Sequence, residues 1–159
     1  HRDLKPANIL INSKRHVKIT DFGISSQLDS TGGLCSTFVG TACYMAPERL
    51  SGGDYSYTAD IWSLGLIVLE LALGRYPYDK ATNYFQLLSM ITEGPAPLAP
   101  ERFSAEFAEV VSLCLDKDRL RRPKANDLLK HHFFQRHRKC VDRDQVGLSV
   151  ASVGESVSP

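Results

Sequence analysis

His1-Arg2-Asp3-Leu4-Lys5-Pro6-Ala7-Asn8 opens the chain, and Asp21-Phe22-Gly23, Ala46-Pro47-Glu48 and Asp60-Ile61-Trp62-Ser63-Leu64-Gly65 follow in that order. Taken singly these residues have ordinary local readings: an Asp before Leu can cap a turn, and Asn8 can close an Asx-turn. Taken together, in this order and spacing, they form a set that chance does not supply. Between the first two motifs the text ILINSKRHVKIT carries apolar Ile9, Leu10 and Ile11, then Val17 and Ile19 in alternation, around the polar residues 12–16. That pattern predicts two short strands joined by a turn. Residues 23–39 are rich in Ser, Thr and Gly and have no period, so they read as a loop. The loop exceeds the ~12–15 residues usual for structureless connections, which points to function.

Beyond Met45 helical patterns dominate. One helix begins near Pro47 and stops at Gly52-Gly53. A second runs from about Thr58 to Leu73, ended by Gly74 and Pro77. With Trp62, Leu64, Leu66, Ile67, Val68, Leu69 and Leu71 it is apolar on nearly every side, so it is expected to be the central helix, wrapped by protein. Tyr84, Leu87, Leu88 and Ile91 fall at helical spacing before Gly94-Pro95. Ser104 can cap a further helix whose inward stripe is Phe107, Val110, Val111 and Cys114. A single last helix is expected to carry Leu128, Leu129, Phe133 and Phe134, and residues 136–159 read as a mobile tail.

Composition narrows the class without naming it. The 19 Lys and Arg against 18 Asp and Glu leave a net charge of +1, which argues against a dedicated nucleic-acid binder. The basic stretch of Arg119, Arg121, Arg122, Lys124 and Lys130 is read as a solvated helical face. The apolar run from Ile61 to Leu73 is too short to span a bilayer, which takes ~20 residues. The 4 cysteines, Cys35, Cys43, Cys114 and Cys140, form no CxxC pair and read as reduced thiols of a cytoplasmic protein. His131, His132, His137 and Cys140 could suggest zinc, but adjacent histidines point to different helix faces, so a basic helix end is preferred. The first residue is His and not Met, no signal peptide follows, and the chain is expected to be a piece of a longer protein.

The motifs HRDLKPAN, DFG, APE and DIWSLG resemble the eukaryotic protein kinases. FVGTACYMAPERL and DIWSLGLIVLELALGRYPY are similar to the MAP kinase kinase group, of plant or protist type. Ala46 stands where many members have Ser, and the Pro-rich insertion of animal members after GRYP is absent. The resemblance implies a protein-kinase-like fold: a mainly α-helical C-terminal lobe over residues 1–135, with short β-hairpins at the catalytic loop and the N-terminal lobe absent. No Gly-rich loop, strand Lys or helix Glu precedes His1 to grip ATP, so the isolated chain is expected to be inactive and to leave apolar surface uncovered on its central helix.

The same resemblance implies residue roles. Asp3 would accept or orient the substrate hydroxyl proton, and Lys5 would contact the γ-phosphate of ATP. Asn8 and Asp21, hard oxygen donors, would hold Mg²⁺. Arg2 would meet a phosphate on the activation loop, with Thr31 and Thr37 as the paired acceptors. Thr41 would shape the surface for the substrate peptide, Glu48 would pair with Arg122, and Asp60 would support the catalytic-loop backbone. The implied partners are a MAP kinase substrate and an upstream activating kinase, with no nucleic acid and no membrane. Two alternatives stay open: a non-catalytic docking module, and another serine/threonine kinase group.

Overall fold

The computed structural model describes residues 1–22, 42–53 and 56–137. A 3-10 turn, Pro6–Asn8, leads into strands β1 (Ile9–Ile11) and β2 (Val17–Ile19), and among the described residues six helices follow. They are α1 (Pro47–Leu50), α2 (Thr58–Leu73), α3 (Tyr84–Thr92), α4 (Ala105–Cys114), α5 (Ala125–Leu128) and α6 (His132–His137). Among the described residues there is one hairpin and no helix long and apolar enough to cross a membrane.

The hairpin is antiparallel, with Ile9 opposite Ile19 and Ile11 opposite Val17. Asn12 builds its turn: Oδ1 accepts from the backbone nitrogens of Lys14 and His16, both at 2.9 Å. Arg15 takes the left-handed conformation that reverses the chain, at φ 64°. Leu10, Ile11, Val17 and Ile19 are exposed, so the hairpin is held by its ladder and turn and not by a core of its own.

Helix α2 is the centre. Trp62, Leu66 and Leu69 are fully buried and pack with Ile91 of α3 and Val111 and Leu115 at the end of α4. Gly74 at φ 72° ends the helix in the left-handed turn that glycine adopts without strain. The wrapping is incomplete. Leu71 is 77% exposed, although Leu73, two residues further on, packs against the core.

Helix α4 starts where Ser104 accepts the Phe107 nitrogen at 3.2 Å and buries Val110, Val111 and Cys114. Its approach to α2 depends on Gly65, where an added Cβ would lie 2.7 Å from Cys114 Cβ and 2.9 Å from Leu115 Cδ2. The single last helix is corrected to two. α5 ends at Leu128, and α6 opens at His132, where His131 Nδ1 accepts the Phe133 nitrogen at 3.2 Å. Leu129 falls in the break and is exposed. α6 continues through His137, so residues 136 and 137 are helical and not tail; the rest of the tail, and Cys140, lie outside the described residues. No group of three or more metal-ligating side chains occurs among the described residues.

Two outcomes test this packing. Gly65→Ala should lower stability by about 1–3 kcal/mol through overpacking, despite Ala's better helix propensity, read as a lower urea midpoint. Burial raises the Cys114 thiol from an ordinary 9.0 to about 12. Because the folded value is the higher one, its contribution is complete below pH 9.0 and is lost as pH climbs towards about 12. The urea midpoint should therefore fall above about pH 9, and Cys114→Ala should remove the earliest part of that fall. A midpoint that stays level through this range contradicts the assignment.

Candidate active site

The site is assembled from the chain's opening loop, the hairpin and one carboxylate of α2. Asp60 Oδ1 accepts the Arg2 backbone nitrogen at 2.9 Å, and Oδ2 accepts the backbone nitrogen of His1 at 2.7 Å. Arg2 sits at φ 74°, a left-handed conformation that a non-glycine residue holds only when its surroundings enforce it. Arg49 of α1 donates from its guanidinium to the Arg2 carbonyl, so both peptide groups of Arg2 are held. The neighbouring His1 places Nε2 2.6 Å from the Thr20 carbonyl and its ring 4.8 Å from that of Phe22. The loop is thereby tied to α2 on one side and to the end of β2 on the other.

Asp3 and Asn8 face each other within this frame. Asn8 is buried and its Nδ2 donates to the Asp3 carbonyl at 2.8 Å, with Asp3 Oδ2 at 3.4 Å. Lys5 Nζ lies 2.8 Å from the same Oδ2, and both side chains are partly exposed. Among the described residues the side-chain contacts of Asp3 fall on Oδ2, which leaves Oδ1 to accept a further hydrogen bond. The Asn8 carbonyl accepts the Thr20 nitrogen at 2.9 Å, so β2 delivers Asp21 beside Asn8, one residue past that bond. Asp21 is exposed and turns the chain at φ 59°.

Magnesium with a nucleotide fits this donor set. The amide nitrogen of Asn8 is spent on the loop, so its oxygen remains for a cation, and Asp21 adds an accessible carboxylate. Mg²⁺ is commonly held by one or two such protein oxygens plus phosphate and water, with no dedicated protein cage.

Two further arrangements hold the site in place. Arg122 is fully buried in its side chain and forms a bidentate pair with Glu48 at 2.9 and 3.0 Å. Its remaining donors go to the carbonyls of Thr58 at 2.9 Å and Asp116 at 3.0 Å, and the guanidinium lies over Trp62 at 5.3 Å. The pair ties α1 to the start of α2 and to the turn after α4. The second arrangement was not legible in the sequence. Tyr44 donates to Glu70 Oε2 at 2.6 Å, and Ser63 Oγ donates to the Tyr44 carbonyl at 2.7 Å. Burial and the Glu70 carboxylate push the Tyr44 hydroxyl well above the usual phenol range, so it stays a donor. The only available signal was the i, i+3, i+10 placement of polar Asp60, Ser63 and Glu70 on an otherwise apolar helix.

The structure thus brings together Arg2, Asp3, Lys5, Asn8, Asp21 and Asp60, and separately Glu48 and Arg122. Thr31, Thr37 and Thr41 lie outside the described residues. Asp3 with its open Oδ1, the Lys5 ammonium beside it and the oxygens of Asn8 and Asp21 therefore stand in one region, an arrangement able to position a nucleophile beside a bound cation.

The protein kinase domain matches residues 1–134, and the chain belongs to that family. It is similar to Mitogen-activated protein kinase kinase SIPKK of Nicotiana tabacum, 45% identical over 166 residues that cover 100% of this chain and 45% of that protein. Mitogen-activated protein kinase kinase 3 of Arabidopsis thaliana is 49% identical over 140 residues, covering 87% of this chain and 27% of that protein. Dual specificity mitogen-activated protein kinase kinase 7 of Homo sapiens is 43% identical over 145 residues, covering 86% and 34%. The chain spans less than half the length of these curated relatives.

Glu48→Gln would leave Arg122 buried with its charge uncompensated and should cost about 3–5 kcal/mol in urea denaturation. Asp79→Asn, which breaks the exposed pair with Arg75, should cost no more than about 1 kcal/mol. Equal losses in the two variants would contradict the structural role given to Glu48.

Proposed function

We propose that these residues are the catalytic-loop and helical part of a MAP kinase kinase that transfers the γ-phosphoryl group of ATP to Thr and Tyr in the activation loop of a MAP kinase. The observation that carries this reading is the fixed loop of Asp3, Lys5 and Asn8, gripped by Asp60 on one face and by the hairpin on the other. Phosphoryl transfer asks a protein for positioning and charge stabilisation more than for covalent chemistry. Asp3 would receive the substrate hydroxyl on its open Oδ1, orienting the nucleophile and taking its proton. Lys5, steadied by the other carboxylate oxygen, would meet the γ-phosphate. Asn8 and Asp21 would hold Mg²⁺, which when bound with ATP neutralises charge on the phosphate oxygens.

On this reading the residues that grip the rest of ATP, a Gly-rich loop and a Lys–Glu couple, belong to sequence upstream of His1, and the protein works in the cytoplasm. Thr31 and Thr37 would be phosphorylated by an upstream kinase, and Arg2 would receive one of those phosphates. A docking module without catalysis is the second reading. The complete set of Asp3, Lys5, Asn8 and Asp21 favours the enzyme, because a binding role has no use for Mg²⁺ ligands.

Asp3→Asn in the full-length protein should lower kcat on a MAP kinase about 10²–10⁴-fold, the range for losing a positioned acid–base group, with the fold retained by circular dichroism. Undiminished turnover would refute the role given to Asp3. Thr31→Ala with Thr37→Ala should abolish activation by an upstream kinase, and a double variant that is still fully activated would refute the switch.

A further inference from the structure

The segment Ala42 to Met45 precedes α1 and closes a turn of its own, the Met45 nitrogen donating to the Ala42 carbonyl at 3.1 Å. Ala42 and Ala46 are buried, and two side chains of α2 reach the residues between them: Ser63 holds the Tyr44 carbonyl and Glu70 holds the Tyr44 hydroxyl. A third hold comes from a different element. Tyr76, on the turn between α2 and α3, donates its hydroxyl to the Cys43 carbonyl and meets the Tyr44 ring edge-on at 5.6 Å. Tyr78, buried, lies 6.0 Å beyond Tyr76 on the same turn.

Beside this contact lies a cavity of about 210 Å³ lined by Cys43, Tyr76, Tyr78, Ala81, Asn83 and Leu87, with mostly apolar walls. Cys43, Tyr44 and Tyr76 all pack against the main core, and the Tyr76 hydroxyl adds a directional hold on the backbone to that packing. Burial holds that hydroxyl far above the usual phenol range, so the donor persists at any working pH.

Asp60, Ser63 and Glu70 lie on one helix, and at 1.5 Å per residue the Asp60-to-Glu70 span is about 15 Å. Asp60 fixes the catalytic loop, whereas Ser63 and Glu70 fix Tyr44. An extended polypeptide rises ~3.3 Å per residue, so a protein substrate whose hydroxyl sat at Asp3 could reach this segment within about five residues. On the same reading the phosphates of ATP would meet Lys5, Asn8 and Asp21, none of which contacts Tyr44 or Cys43.

We infer that Tyr76 is a positioning residue for the protein substrate: by holding the Cys43 carbonyl beside the cavity, it fixes the backbone against which the substrate chain lies. This rests on the kinase reading above. Tyr76→Phe keeps the ring and removes only the donor. In the full-length protein, with a catalytically inactive MAP kinase as phosphate acceptor, it should raise KM for that substrate about threefold to tenfold, the range expected for one lost hydrogen bond. KM for ATP should stay within about twofold, and this also serves as the control for a folded active site. Unchanged KM for the MAP kinase, or equal rises for both substrates, overturns the inference. Asp3→Asn, assayed in parallel, separates the two claims: if it transfers phosphate normally, the kinase reading fails. If it is inactive while Tyr76→Phe behaves as wild type, only the role of Tyr76 fails.

Discussion

One carboxylate, that of Asp60, sets the geometry on which the candidate site depends. It stands in the first turn of the buried helix and accepts backbone donors from both His1 and Arg2. A left-handed Arg2 costs about 1–2 kcal/mol of local strain, and two hydrogen bonds to a charged acceptor, at roughly 1.5–3 kcal/mol each, are enough to hold it. The turn at Arg2 aims the next residues so that Asp3 meets Asn8 and Lys5. Because Asp60 is carried by a helix whose Trp62, Leu66 and Leu69 are fully packed, the loop inherits the rigidity of the core.

The same helix serves other segments through its few polar side chains. Its first residue, Thr58, offers a carbonyl to Arg122, which joins α1 through Glu48 to the turn after α4. Ser63 and Glu70 hold Tyr44. These polar side chains and the Thr58 carbonyl are therefore anchors for three separate segments, and the packed apolar remainder of the helix holds them in place.

Much of this was legible because local rules operate locally. Gly74 and Ser104 marked a helix end and start through backbone conformation and capping, which nearby residues decide, and α2 spans Thr58–Leu73 as its pattern indicated. The hairpin followed from alternation and a polar turn. What failed did so for nameable reasons. Leu128, Leu129, Phe133 and Phe134 share a helical period, but the His131 ring nitrogen competes for a backbone donor and restarts the chain. Leu71 is apolar yet exposed, on a face of α2 turned away from the core side that carries Leu69 and Leu73. The pairing of Glu48 with Arg122 and of Asp60 with the opening loop joins residues far apart in the chain, so motif resemblance suggested it where periodicity could not. The Tyr44, Tyr76 and Cys43 contacts had no such motif and emerged only in three dimensions.

If Asp60 acts by holding the loop, its effect on turnover must exceed its effect on stability. The direct measurement is the kcat of an Asp60→Asn variant of the full-length protein with ATP, Mg²⁺ and a MAP kinase, alongside its urea midpoint. The account predicts a fall in kcat of about 10²-fold, the cost of a small misplacement of reacting groups, while the variant stays folded under assay conditions. A folded variant with wild-type turnover would contradict it.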